Sequence, residues 1–389
     1  MLLHHDIVLL LSVQFERMRG MDSVRVLAQR LATQRLSSAP LPRAADAVRL
    51  LTCVQSQERD HAFFSLGLRT RRSTYAAVRR EHDSGAFLRT HILRPTWHFV
   101  APEDLRWVLA LTSPRVLSGM AGRHRQLGLD DTHRLDSGLS LLAELLAGRN
   151  HLTRAEIGEA FVGRGSSIEP GQQLGHLLIV AELQGLVCSG PQKGVHHSYA
   201  LVDEVVPPTR ARDLDEALVE LVRRFFTSHG PATIKDFTRW SSLTVAGTKE
   251  ALAQLGGELA CEDVDGTPHW FDPSVVPRRS PAAPAAYLFP VYDEAVLTYP
   301  TVNFPTAPDH PFAKHPDPFW ARVVLDQQNV GLWKRTVRGG EVEVDVRLAL
   351  SVDDRGREAV RLAAQRLAGF LELELRYLED HHTPHIWRG

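Results

Sequence analysis

Residues 214–271 read LDEALVELVRRFFTSHGPATIKDFTRWSSLTVAGTKEALAQLGGELACEDVDGTPHWF, and this stretch decides the fold. Leu214 to Ser228 predicts one helix, broken at Gly230-Pro231, a pair that the helical backbone does not continue through. Thr233 to Trp240 and Thr244 to Leu255 predict two more helices. Leu259 to Val264 and His269 to Phe271 flank Asp265-Gly266, a dipeptide that suits a tight hairpin turn. Three helices followed by a hairpin is the winged-helix plan, a helix-turn-helix variant whose hairpin is the wing.

The same plan precedes it. Leu139 to Ala147 is a Leu-rich helix. Thr153 with Glu156 three residues later forms a capping-box pattern that opens a second helix. Residues 171–185, GQQLGHLLIVAELQG, give a third, closed by Gly185. Leu186 to Cys188 and Ser198 to Leu201 are the paired strands. Residues 22–125 hold a looser third copy. Within it, Thr96 to Val100 is a strand, and Pro102 with Glu103 starts a helix in the Pro-at-N1 manner.

Beyond a Pro- and Ala-rich linker the signal turns to strands at Tyr287–Val291, Arg322–Leu325, Gly331–Val337 and Val342–Arg347, with a helix over Gly356–Leu371. The interval from Pro300 to Pro318 holds six prolines and reads as irregular. The expected fold class is therefore α+β: three tandem winged-helix domains with a C-terminal β-rich element. The boundaries expected are an N-terminal extension over 1–21, winged helices over 22–135, 136–208 and 209–272, a linker over 273–286, the β-rich element over 287–380 and a tail over 381–389.

A chain of 389 residues with 43% hydrophobic and 23% charged residues is an ordinary globular composition, long enough for several domains. The net charge of −1 excludes a protein that coats nucleic acid with its whole surface, but the charge is segregated. Arg59 to Arg125 contains twelve arginines against five acids, an excess of +7, whereas Glu341 to Asp380 carries −4. Three scattered cysteines form no CxxC pair, which fits a reducing cytoplasm. Ile7 to Val13 is too short to span a bilayer, which takes roughly 20 residues.

No GxxxxGK[ST], GxGxxG, GxSxG or HExxH motif occurs. His381-His382 with His385, His4-His5 and His196-His197 are read as solvated rather than as metal ligands. Asp293 and Glu294 follow an apolar strand. They are candidates for a catalytic carboxylate pair, but adjacent strand residues face opposite sides, so the reading preferred is that one of them anchors the C-terminal sheet to an arginine. Trp97 is read as core, and His98, on the same face as Thr96, either as the polar contact of its strand or, equally, as a satisfied buried histidine.

Gln55-Ser56-Gln57 ends an apolar run in which Ala47, Val48, Leu51 and Val54 recur at helical spacing, and so reads as the polar end of a helix. Amides can donate and accept at once, which suits holding a water or a sugar.

Taken together, Val54 to Gln57, RPTWHFVAPEDLRW (94–107), GQQLGHLL, ELQGLVCSGP, FTSHGPATIKDF, PVYDE and GLWKRT resemble the AlkZ-type DNA glycosylases, within the winged-helix DNA-binding proteins typical of actinobacteria. The resemblance spans residues 22–378. It implies a C-shaped arrangement of three winged helices around duplex DNA and monofunctional excision of alkylated purines, in DNA repair or in self-resistance to a DNA-alkylating product. The family motif is Gln-x-Gln in one branch and Gln-x-Asp in another, so the resemblance implies catalytic roles for Gln55 and Gln57. The DNA contacts expected are Arg59, Arg69, Arg71, Arg72, Thr96, His98, Arg123 and Arg125. No metal or cofactor is expected. The partner is double-stranded DNA bearing alkylated purines, bound by a cytoplasmic monomer with no membrane attachment. The competing reading is a non-enzymatic winged-helix DNA-binding protein, a regulator or damage-binding factor. A third is a protein-binding scaffold.

Overall fold

The computed structural model describes residues 21–277, 284–300, 302–310 and 321–380. The expected extension over 1–21 therefore lies outside the described residues apart from Met21, as do His381, His382 and His385.

The first unit opens with α1 (Ser23–Thr33), capped by the Asp22 carboxylate on Arg25 N at 2.8 Å. Helix α2 (Ala44–Leu51) buries Ala47, Val48 and Leu51 completely. It stops sooner than the apolar spacing predicts. Thr52 has φ +65°, a conformation the helix cannot continue through, and Cys53–Gln55 becomes strand β1. The glutamine motif thus begins on a strand and not at a helix end. Next come α3 (Arg59–Arg69), α4 (Tyr75–Asp83), β2 (Leu88–His91) and β3 (Trp97–Val100). Strand β3 lies between β1 and β2, antiparallel to both, and sets His98 opposite Gln55 and Thr90. Helix α5 (Pro102–Gln126) starts with Pro102 as expected but runs on through Pro114.

The second unit holds α6 (Thr132–Leu146), β4 (Leu152–Thr153), α7 (Arg154–Gly163), α8 (Gln172–Leu183), β5 (Val187–Ser189), β6 (Ser198–Leu201) and the short α9 (Val202–Val205). The Thr153–Glu156 capping box is present in both directions. Gly185, at φ +71°, ends α8 where an L-residue would be strained. Strand β4 was not legible in the sequence: two residues carry no periodicity.

The third unit is α10 (Leu214–His229), α11 (Ile234–Ser241), α12 (Val245–Leu255), β7 (Ala260–Val264) and β8 (Thr267–Phe271). Asp265 and Gly266, both at positive φ, make its turn. Phe225, Phe226, Phe237 and Trp240 fill its interior, which is continuous with Cys53, Leu88, Val100 and Leu105 of the first unit.

The C-terminal part comprises β9 (Ala286–Phe289), α13 (Glu294–Leu297), β10 (Ala321–Leu325), β11 (Gln328–Arg338), β12 (Glu341–Leu348), α14 (Asp354–Leu371) and β13 (Glu374–Asp380). Its sheet runs β13-β12-β11-β10-β9, with β13 parallel to β12 after the α14 crossover. This sheet shares one apolar core with α2 and α3, including Val48, Phe63, Phe64, Trp333 and Phe370. A Cβ on Gly67 would lie 2.5 Å from Phe370 Cε2, so the missing side chain is what lets α14 dock on α3. Among the described residues no helix is long and apolar enough to cross a membrane.

Candidate active site

Gln55 ends β1 and is only 6% exposed. Its backbone N–H donates to Glu294 Oε1 at 2.8 Å, and its side-chain Oε1 accepts from Arg94 Nη2. The guanidinium has no acceptor capacity, which fixes the amide orientation: oxygen toward Arg94, Nε2 turned away. That Nε2 makes no hydrogen bond among the described residues. Arg94 itself is held by the backbone carbonyls of Arg239 (3.4 Å) and Trp240 (3.3 Å), so α11 of the third unit sets the position of a side chain on β1.

Arg94 also lies 3.3 Å from His98 Nε2. The other ring nitrogen, Nδ1, donates to Thr96 O at 2.9 Å, which makes Nε2 the acceptor and the ring neutral. Burial, reinforced by the Arg94 charge, pushes the His98 pKa down to about 3.

Glu294 is fully buried. Burial alone would raise its pKa. His229, with Nε2 3.7 Å from Oε2, the Gln55 N–H and Arg94 outweigh it and hold the carboxyl at about 2. Thr298 Oγ1 adds a hydrogen bond at 2.8 Å. His229 stacks on Phe225, with centroids 4.8 Å apart and planes 7° from parallel. The neighbouring Asp293 takes the anchoring role expected of one of the two acids. It forms a bidentate pair with Arg69 at 2.8 and 2.9 Å and accepts from Ser65 Oγ at 2.7 Å. The other acid, Glu294, which the sequence left without a firm role, is the one that reaches the glutamine motif.

Gln57 lies outside this buried group. It is exposed, and its Oε1 makes one long contact, 3.4 Å, with Trp97 N. The ridge beneath it is rigid: Arg89 donates to the carbonyls of Ser56 and Gln57 and stacks its guanidinium 3.9 Å from the Trp97 ring.

The structure rearranges the expected DNA contacts. Arg69 has no exposure and belongs to the Asp293 pair, so it is corrected from a phosphate contact to a core ion pair. His98 is likewise buried, with both ring nitrogens engaged, so it supports Gln55 through Arg94 rather than facing a groove. Trp97, read as core, is half-buried and faces a cleft. Thr96 is half-buried, and its carbonyl serves His98. Arg59 pairs with Asp60 at 3.1 Å and donates to Val195 O, bridging the first two units. Arg123 is exposed and bonded to Gln126 and Gln172. Arg71, Arg72 and Arg125 are exposed with no acidic partner among the described residues. The residue that sequence reasoning missed is Arg94; Glu294 stood among the candidate acids, with nothing to tie it to Gln55. Arg94 stood inside the quoted RPTWHFV motif, but nothing local ties it to Gln55.

Comparison with known proteins gives three concordant findings. The family model described as DNA glycosylase AlkZ-like matches residues 48–370. A Streptomyces sahachiroi protein described as an interstrand DNA cross-link repair glycosylase is 25% identical over 329 residues, covering 80% of this chain and 87% of its own. The solved structure of Streptomyces sahachiroi DNA glycosylase AlkZ matches with a TM-score of 0.70 at 22% identity, covering 92% of this chain and 100% of that one. The mixed α+β fold is therefore shared with a solved structure.

Proposed function

The chain belongs to the AlkZ-like DNA glycosylase family, and on that premise we propose that Gln55 and Gln57 position the water that hydrolyses the glycosidic bond of N7-alkylated purines in duplex DNA. A purine alkylated at N7 is cationic and leaves as a neutral base, so its departure needs no general acid. What remains is to place a water at the anomeric carbon of a sugar with oxocarbenium character. Arg94 occupies the Gln55 oxygen, so Gln55 presents N–H donors. The Gln57 oxygen carries only a long contact and is available to accept. One donor and one acceptor fix the orientation of a single water. An amide has no useful basicity at neutral pH, so the water's proton leaves to solvent or to a phosphate oxygen once the C1′–O bond forms. The ionised Glu294, one backbone amide behind Gln55, places negative charge behind the site as the sugar becomes positive.

The arrangement of residues 136–208 and 209–272 as helix, helix, helix and hairpin supports reading both as winged helices that hold the duplex, with residues 22–135 as a third. Arg71, Arg72, Arg123 and Arg125 are the phosphate contacts consistent with their exposure. The Streptomyces sahachiroi relative is named for interstrand cross-link repair; where one arm of a cross-link is an N7-alkylated purine, the chemistry proposed here would release it. The reaction is monofunctional: it leaves an abasic site and an intact strand.

The observation that carries this reading is the Arg94–Gln55 pair, which turns a glutamine amide into an oriented donor. Incubation with a duplex carrying one N7-methylguanine tests it. Free base should appear together with a site that alkali cleaves. Binding without release would favour the non-enzymatic reading, and strand cleavage without alkali would exclude a monofunctional reaction.

A further inference from the structure

Glu182 is fully buried in the last turn of α8, and both of its carboxylate oxygens serve residues of the first unit. Trp97 Nε1 donates to Oε1 at 3.2 Å, and His91 Nδ1 donates to Oε2. We propose that Glu182 is a positioning residue for the hydrolysis, acting through Trp97 on Gln57; this rests on the glycosylase reading above.

The route is short. His91 and Trp97 face each other across β2 and β3, their ring centroids 4.9 Å apart, so one carboxylate closes on both members of a cross-strand pair. Fixing the indole fixes the Trp97 backbone, and that backbone meets the glutamine motif twice. Its carbonyl accepts the Ser56 N–H at 2.7 Å, and its N–H reaches Gln57 Oε1 at 3.4 Å. An amide oxygen has two lone pairs, so this contact steers the Gln57 side chain while leaving the second pair for the water.

The same carboxylate supports the motif from beneath. The Arg89 guanidinium donates to the carbonyls of Ser56 and Gln57 and lies 3.9 Å from the Trp97 ring. Burial lowers the Arg89 pKa to about 10, and the Glu182 charge opposes that loss. Arg89 N also donates to Ser189 Oγ at 2.8 Å, a further tie to the second unit. A carboxylate that only joined two units could bind any donor on β2 or β3. This one binds the residue whose backbone touches both Ser56 and Gln57. Each glutamine thus has a buried carboxylate from another part of the chain behind it, Glu294 for Gln55 and Glu182 for Gln57.

The test compares full-length chains carrying Glu182→Ala or Glu182→Gln, whose amide oxygen still accepts from the indole. Single-turnover release of N7-methylguanine at saturating duplex should fall about tenfold with Glu182→Ala, with duplex affinity held within about twofold, and recover with Glu182→Gln. Because the effect passes through Gln57, Glu182→Ala should slow a Gln57→Ala chain no further. An unchanged rate with Glu182→Ala, no recovery with Glu182→Gln, or an equal loss in both backgrounds would overturn the proposal. The clamp is also read without turnover. The Trp97 indole N–H, assigned by its disappearance in Trp97→Phe, should exchange with solvent about tenfold faster in Glu182→Ala and at the original rate in Glu182→Gln. Exchange unmoved by Glu182→Ala would refute the clamp. Absence of base release by the unsubstituted chain would be a failure of the glycosylase reading instead, and the indole exchange would still decide the clamp.

Discussion

Glu294 Oε1 accepts the backbone N–H of Gln55 at 2.8 Å, tying the C-terminal part of the chain to the end of β1 across 239 residues of sequence. The carboxylate is fully buried and ionised, so its partners hold it as firmly as it holds Gln55. Removing it by Glu294→Ala leaves the buried Gln55 N–H and the Thr298 hydroxyl without their acceptor and should cost about 3 kcal/mol of stability. The isosteric Glu294→Gln should keep the fold and lesion-duplex affinity while slowing base release. Denaturant titration and single-turnover kinetics check the pair of variants; unchanged release by the glutamine variant would remove Glu294 from the account.

Arg94 makes a sharper case because its role is orientation. Arg94→Ala frees the Gln55 amide to rotate and should slow base release by about 100-fold, the scale of losing one preorganised donor. Added guanidinium ion should restore part of the rate, since the missing group is a guanidinium in a defined seat between Gln55, His98 and two carbonyls. A rate indifferent to guanidinium would mean that Arg94 serves only packing.

The arginines divide into two populations with different readouts. Arg71→Ala or Arg125→Ala should each lower the slope of log binding constant against log salt by about one. Arg69→Ala should cost about 3–5 kcal/mol in stability, because it strands the buried Asp293 carboxylate. A salt slope that drops for Arg69→Ala and not for the exposed pair would reverse this division.

The pH profile follows from buried neutral histidines. His98 is held down to about 3, and His61, through burial and then the Arg335 charge, to about 4. An unfolded histidine titrates near 6.5, so below that pH the unfolded state binds the extra proton. Stability is therefore full above pH 6.5 and falls as pH drops from there toward 3, by up to about 1.4 kcal/mol per pH unit for each such histidine. Urea midpoints measured across this window should show the fall, and His98→Asn should remove the share that His98 contributes while the share of His61 remains. No amide titrates near neutrality, so Gln55 and Gln57 should add no step of their own to the pH dependence of base release.

The parts of the fold that local chemistry dictates were legible. The Thr153–Glu156 box, Gly185 after α8 and Asp265-Gly266 in the hairpin each announce a backbone state that few other residues serve. Gln55 was misread as a helix end because Val54 continues the helical spacing of Val48 and Leu51. Only the positive φ at Thr52 and the pairing of β1 with β3 break that pattern, and neither shows in the periodicity. Counting arginines located a basic segment but could not tell Arg69, sunk against Asp293, from Arg71, which stands in solvent. The Gln55–Arg94–Glu294 cluster draws on β1, the β2–β3 connection and α13, so no window of sequence contains it.

The central claim is that the two amides carry the hydrolysis. Its most direct test compares single-turnover release of N7-methylguanine from a duplex by the unsubstituted chain and by the Gln55→Ala, Gln57→Ala double variant, with duplex affinity measured on both. The account predicts affinity within a few-fold and release slowed by at least about 100-fold. Release at the unsubstituted rate would contradict it.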